Sequence, residues 1–86
     1  MTEKQIIREA MYARRVNQTV LASMAGLKRQ SNVSGLLSGK SMRVDSFLLL
    51  LDAMGFEVIV RDKNPANKQN TWKLERSKDA EGSDNA

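Results

Sequence analysis

The stretch Ala25–Arg43, AGLKRQSNVSGLLSGKSMR, holds four serines, three glycines and four basic residues, and no acid. Serine and glycine both lower helix propensity, glycine by about 1 kcal/mol per interior position relative to alanine. Even so, Val33, Leu36 and Leu37 fall at i, i+3 and i+4, the spacing of one buried helical face. That pattern predicts a helix starting between Lys28 and Gln30, running to about Ser38 and ended by Gly39. With successive residues about 100° apart, the opposite face collects Ser31, Ser34, Gly35 and Ser38, with Asn32 on one flank. All of these are small, so the helix can approach another surface closely. The major groove of B-form DNA, about 12 Å wide, admits such a helix. Arg29, Gln30 and Asn32 lie at its N-terminal end, and their residue types suit base reading. Arginine can bind guanine O6 and N7 in bidentate fashion, and glutamine or asparagine can bind adenine N6 and N7.

Charge distribution points the same way. No Asp or Glu occurs from Ala10 to Val44, whereas Arg14, Arg15, Lys28, Arg29, Lys40 and Arg43 all fall in that window. A segment cleared of acids creates a positive field that a polyanion feels, although the net charge is only +4. A solvated face that happens to lack acids is the competing explanation from charge alone. Arg14 and Arg15 end the first predicted helix, where a cation also complements the helix dipole.

Working outward, Ile6, Ile7, Ala10 and Met11 predict an amphipathic helix over Lys4–Arg15, with Thr2 and Gln5 spaced for a capping box. Asn17 is an N-cap for a second helix, with Val20, Leu21 and Met24 as its apolar stripe and Gly26 as its left-handed stop. Gln18 and Thr19 sit at its N-terminal end, where free N–H groups suit phosphate oxygens, and Lys28, Lys40 and Arg43 can flank the groove. A further helix is expected over Val44–Met54, with Val44, Phe47, Leu48, Leu51 and Met54 on one face and Gly55 at its end. Leu49 and Leu50 lie off that stripe, which leaves two explanations: a subunit contact, or another wall of the same core. Met11, Met24, Met42 and Met54 are read as core fillers.

After Gly55 the period changes to two. FEVIVRD, Phe56–Asp62, reads as a strand, NPANKQN as a loop and TWKLER as a weaker strand. One hairpin is marginal in water, so this ribbon must pack on the helices or pair with its copy in a second subunit. Trp72 reads as a packing residue of the hairpin. The final SKDAEGSDNA is polar and without apolar anchors, and is expected to be disordered. The expected organisation is a DNA-binding unit over 1–55, a strand or hairpin over 56–76 that mediates dimerisation, and a tail over 77–86.

The chain has no cysteine and no histidine, which excludes disulfides, thiolate chemistry, histidine acid/base catalysis and the usual zinc sites. The sequence implies no cofactor and no metal. Its longest apolar run, Phe47–Leu51, is too short to span a bilayer, and the N-terminus lacks the apolar centre of a signal peptide. A cytoplasmic protein without membrane contact is the expectation. Nor do the carboxylates Asp45, Asp52 and Glu57 form a nucleophile and base set, so an enzyme is not expected.

The run NQTVLASMAGLKRQSNVSGLLSGKS, Asn17–Ser41, resembles the helix-turn-helix of the lambda-repressor-like family, the Cro and xenobiotic-response-element repressors. Gln18, Leu21, Ala22, Ala25, Gly26, Val33 and Gly39 carry the resemblance, which extends with the flanking helices over residues 3–55. Six residues separate Gly26 from Val33 where the family usually has five, and Leu37 stands where it often has glutamate. The resemblance implies a mostly α bundle of five short helices that binds operator DNA as a dimer. By the same analogy Gln18 grips a phosphate, Gln30 and Ser31 meet bases, and Asn32 and Ser34 assist; Arg29 is added by its own chemistry.

The segment LLLLDAMGFEVIVRD also resembles HipB-like antitoxins, in which a strand after the last helix pairs with its partner's strand. That likeness implies dimerisation through the strand residues Phe56, Val58, Ile59 and Val60, with Leu50 added as a candidate subunit contact by its position off the α4 stripe; a hairpin within one chain is the alternative to the intersubunit ribbon. The function expected is a sequence-specific transcriptional regulator, a repressor, binding double-stranded palindromic DNA as a homodimer. An antitoxin that also holds a toxin, and a protein interaction module that kept the fold, are the alternatives.

Overall fold

The computed structural model describes residues 1–76; the predicted disorder of residues 77–86 lies outside the described residues. Four α-helices are followed by an antiparallel hairpin: α1 (Glu3–Arg14), α2 (Gln18–Met24), α3 (Gln30–Ser38), α4 (Val44–Ala53), β1 (Val58–Arg61) and β2 (Thr71–Leu74). The fold is therefore mostly helical, but the expected five-helix bundle is corrected to four α-helices among the described residues. A short 3-10 segment, Pro65–Asn67, lies inside the hairpin loop. No helix among the described residues is long and apolar enough to cross a membrane.

Local sequence sets the ends of these helices. Thr2 and Gln5 form the capping box of α1, each side chain bonding the other's backbone N–H, at 3.2 and 2.8 Å. Asn17 caps α2 through Oδ1, which accepts from the Val20 N–H at 2.8 Å. At the far end of α2, Gly26 has φ +75°. Its N–H donates to the Ser23 carbonyl, and that of Leu27 donates to the Ala22 carbonyl. This paired closure satisfies carbonyls the helix would otherwise leave open. Gly55 (φ +83°) and Phe56 close α4 in the same way on Asp52 and Leu51. Arg15 takes the left-handed position after α1, with φ 56° and no glycine to relieve it.

One side chain from each helix is fully buried: Ile7, Leu21, Val33 and Leu50. Ala10, Ala22, Leu37, Leu51 and Met54 complete this core. Full burial of an aliphatic side chain is worth about 1.5–3 kcal/mol, so these four contacts are a large part of the stability of so short a chain. In α2 the buried pair is Leu21 and Ala22, with Ala25 packed against the core, whereas Val20 and Met24 are exposed. The expected stripe is thus rotated, because alanines let α2 and α3 approach where a larger residue would hold them apart. In α4 the exposed N-terminal Val44 leaves the expected stripe and Leu50 joins it. Leu50 therefore cannot serve a dimer contact: it is 0% exposed inside its own chain. Met11 and Met42 pack against the core and Met54 lies in it, but Met24 is turned outward.

Arg14 has a structural role that helix-end position alone does not announce. Its Nε donates to the Met54 carbonyl at 2.8 Å, and its guanidinium lies 4.1 Å from the centre of the Phe56 ring. The end of α1 is thereby fastened to the junction between α4 and β1. In the hairpin, Val58 faces Leu74, Ile59 faces Lys73, Val60 faces Trp72 and Arg61 faces Thr71. The intrachain hairpin is thus formed. Trp72, however, is 62% exposed, so it does not pack into the chain's own core.

The hairpin loop is held by Asp62. Its carboxylate accepts from the Asn70 side-chain amide and from the Asn64 N–H, both at 2.9 Å. The Asn70 amide is the largest influence holding the Asp62 carboxyl below its ordinary 3.8, with the Asn64 N–H next. A carboxyl lowered in the folded state contributes stability that is present above the unfolded value and lost as pH falls through the folded one. Asn70→Ala should move the Asp62 titration upward toward 3.8, as followed by carboxyl-carbon NMR. Separately, Arg15→Gly should remove a left-handed strain of about 1 kcal/mol and raise Tm by roughly 4–8 °C in a thermal melt.

Candidate nucleic-acid interface

The position of α3 follows from the turn before it. After Gly26, residues Leu27–Arg29 carry the chain from the end of α2 to the start of α3, with Leu27 packed against the core. The helix α3 begins at Gln30, with Arg29 at its N-cap position. Arg29 makes no capping hydrogen bond, since a guanidinium carries only donors and a cap must accept.

Val33 and Leu37 turn into the core, and Ser31, Asn32, Gly35 and Ser38 are exposed on the other side. Ser34 is half-buried at the edge of that face. Its hydroxyl donates to the Ser31 carbonyl at 3.2 Å, and the Ser38 hydroxyl donates to the Gly35 carbonyl at 3.3 Å. Both hydroxyls thus fold back on the helix, which lowers the profile of the face and leaves their oxygens as acceptors. A Cβ built on Gly35 meets nothing within 4 Å, so the glycine is not required by the chain's own packing. The propensity forgone there has no internal compensation.

Between the two helices, the Gln30 side-chain amide donates to Gln18 Oε1 at 2.5 Å. The sequence marks both residues separately but carries no signal of their contact. It uses one oxygen of Gln18 and one N–H of Gln30. The Gln18 amide hydrogens stay available to a phosphate oxygen, and Gln30 keeps its own oxygen and a second N–H for a base edge. The signal for such a pair is two amides at facing helix N-termini, twelve residues apart, bracketing a tight turn.

Thr19, Lys28, Arg29 and Lys40 are all exposed, as are Arg15 and Arg43, whereas Arg14 is engaged with Met54 and Phe56. Arg43 differs from the others in having an acid nearby: it lies 3.7 Å from Asp45 in an exposed ion pair at the start of α4. Pairs of this kind are worth about 0–1 kcal/mol, too little to withhold the cation from a phosphate.

The residues expected at a dimer contact are not brought to one surface. Leu50 is in the core and Phe56 is half-buried over Arg14. Val58 and Val60 share one face of the hairpin, while Ile59, one residue out of phase, points to the other.

Comparison with known proteins adds no relative to this geometry: no family profile, curated protein or solved structure matches the chain.

Proposed function

We propose that the chain is a sequence-specific DNA-binding regulator, a repressor, that inserts α3 into the major groove and binds a palindromic operator as a homodimer. The observation that carries this reading is the outward face of α3: small, exposed, without acids, and bordered by the joined Gln18 and Gln30 side chains. Arg29, Gln30, Ser31, Asn32 and Ser34 meet base edges in this arrangement. Gln18, Thr19, Lys28, Lys40 and Arg43 meet the phosphates on either side. A dimer presents two copies of α3 about 34–36 Å apart, one turn of DNA, and so reads a symmetric site.

Duplexes selected by the purified chain from a random pool provide the test. Gln30→Ala should weaken the selected site by about 1–3 kcal/mol and relax preference at one position, measured by fluorescence anisotropy. Lys40→Ala should weaken all sequences alike and lower the slope of log K against log salt by about 0.9. If neither variant changes affinity or salt slope, α3 is not the docking face. Gly35 separates docking from folding. Gly35→Ala should stabilise the chain by about 0.5–1 kcal/mol in a denaturant titration, because only helix propensity changes. Gly35→Leu should also fold, yet lose about tenfold or more in specific affinity because its side chain props the helix out of the groove.

A further inference from the structure

The loop between β1 and β2 is tied down by its own side chains. Asp62 opens it with both carboxylate oxygens engaged, one by the Asn64 N–H and one by the Asn70 side-chain amide, each at 2.9 Å. Asn64 Oδ1 in turn accepts from the Ala66 N–H at 3.0 Å, and the Thr71 hydroxyl donates to the Lys68 carbonyl at 2.8 Å. On this frame Arg61, Lys63 and Lys68 line one cleft of about 550 Å³, and all three are exposed. Among the described residues, none of the three side chains meets an acid or a hydrogen-bond acceptor. Further along the hairpin the cations are matched, since Lys73 lies 3.5 Å from Glu75 and Arg76 4.0 Å from Asp52. Unmatched positive charge is thus gathered at the loop end. The cleft shares no residue with α3 or with the turn before it.

We propose that this loop is a second DNA contact, which grips the phosphate backbone through Arg61, Lys63 and Lys68. Three unmatched cations held on one short loop create a local field that attracts a polyanion. Asp62 is the one acid in the cleft, and its oxygens are already bonded within the loop, so the field stays positive. Composition then decides between a nucleic acid and an acidic protein segment. Protein interfaces have an apolar, aromatic centre and are depleted in lysine, whereas contacts to the sugar–phosphate backbone are made by lysine, arginine and polar side chains. Among the described residues Pro65 is the only apolar one lining the cleft, and two of the three cations are lysines. That chemistry suits the backbone of a nucleic acid. Backbone contacts hold a protein on the duplex without reading sequence. The loop therefore adds affinity, and no specificity, to the DNA-binding reading proposed above, on which it rests.

Salt titrations of affinity for a duplex of unselected sequence, followed by fluorescence anisotropy, provide the test. Lys63→Gln with Lys68→Gln should reduce the magnitude of the slope of log K against log salt by about 1.8, the share of two phosphate contacts. Arg61→Gln alone should reduce it by about 0.9. Lys4→Gln with Arg8→Gln removes the same charge from α1 and should leave the slope unchanged. Circular dichroism should show wild-type helicity in every variant. In a Gly35→Leu background, where α3 is held out of the groove, the loop variants should reduce the slope by the same amounts, so the loop contact stands even if α3 is not the docking face. Loop variants with an unchanged slope, beside a Lys40→Ala that reduces it, overturn the loop contact and leave α3 in place. A slope that falls equally for the α1 pair overturns it too, because net charge alone then explains the effect. So do amide NMR shifts at residues 61–71 that poly-glutamate produces at a lower charge concentration than the duplex, the mark of an acidic protein partner. A wild-type chain with no affinity for duplex at low salt overturns both readings.

Discussion

Ile7, Leu21, Val33 and Leu50 come one from each helix, and all four are completely withdrawn from water. No helix can move without opening a void in the shared core, and interiors resist voids because lost packing has no replacement. This constraint turns four short helices, each marginal alone, into a scaffold that holds α3 at one angle. The turn at Gly26 and the small residues Ala22 and Ala25 serve it by letting α2 and α3 close on each other. Gln18 and Gln30 can meet only because that approach is fixed.

Much of this was legible in the sequence, wherever one local interaction decides the outcome. The Thr2 box, the Asn17 cap and the stops at Gly26 and Gly55 depend on residues within one turn, and they fall where residue chemistry places them. Val33 and Leu37 were legible by their spacing. So was the outward set from Ser31 to Ser38, because small polar residues opposite an apolar pair leave little ambiguity. The pairing of Phe56–Arg61 with the TWKLER segment within one chain was legible only as one of two options, since alternation fixes a strand and not its neighbour.

The failures share a cause. Val20, Met24 and Val44 are placed by period alone, and period does not say which of two apolar stripes the tertiary contacts choose. In α4 almost every turn is apolar, so Leu50 could be placed only by its neighbours. The expected fifth helix was carried by resemblance, with no periodic segment of its own beyond α4. Arg14 and the Gln18–Gln30 contact were missed because they join residues distant in sequence: position 14 to position 54 and position 18 to position 30.

The exposed surface of α3 and the core beneath it draw on separate sets of residues. Positions 31, 32, 35 and 38 supply no volume to the interior, whereas 33 and 37 supply nothing but volume. Genetic change can therefore explore the first set while the second keeps the scaffold standing. A lineage built on this frame can change the chemistry of that surface by drift alone, with no intermediate that has to survive a weakened fold.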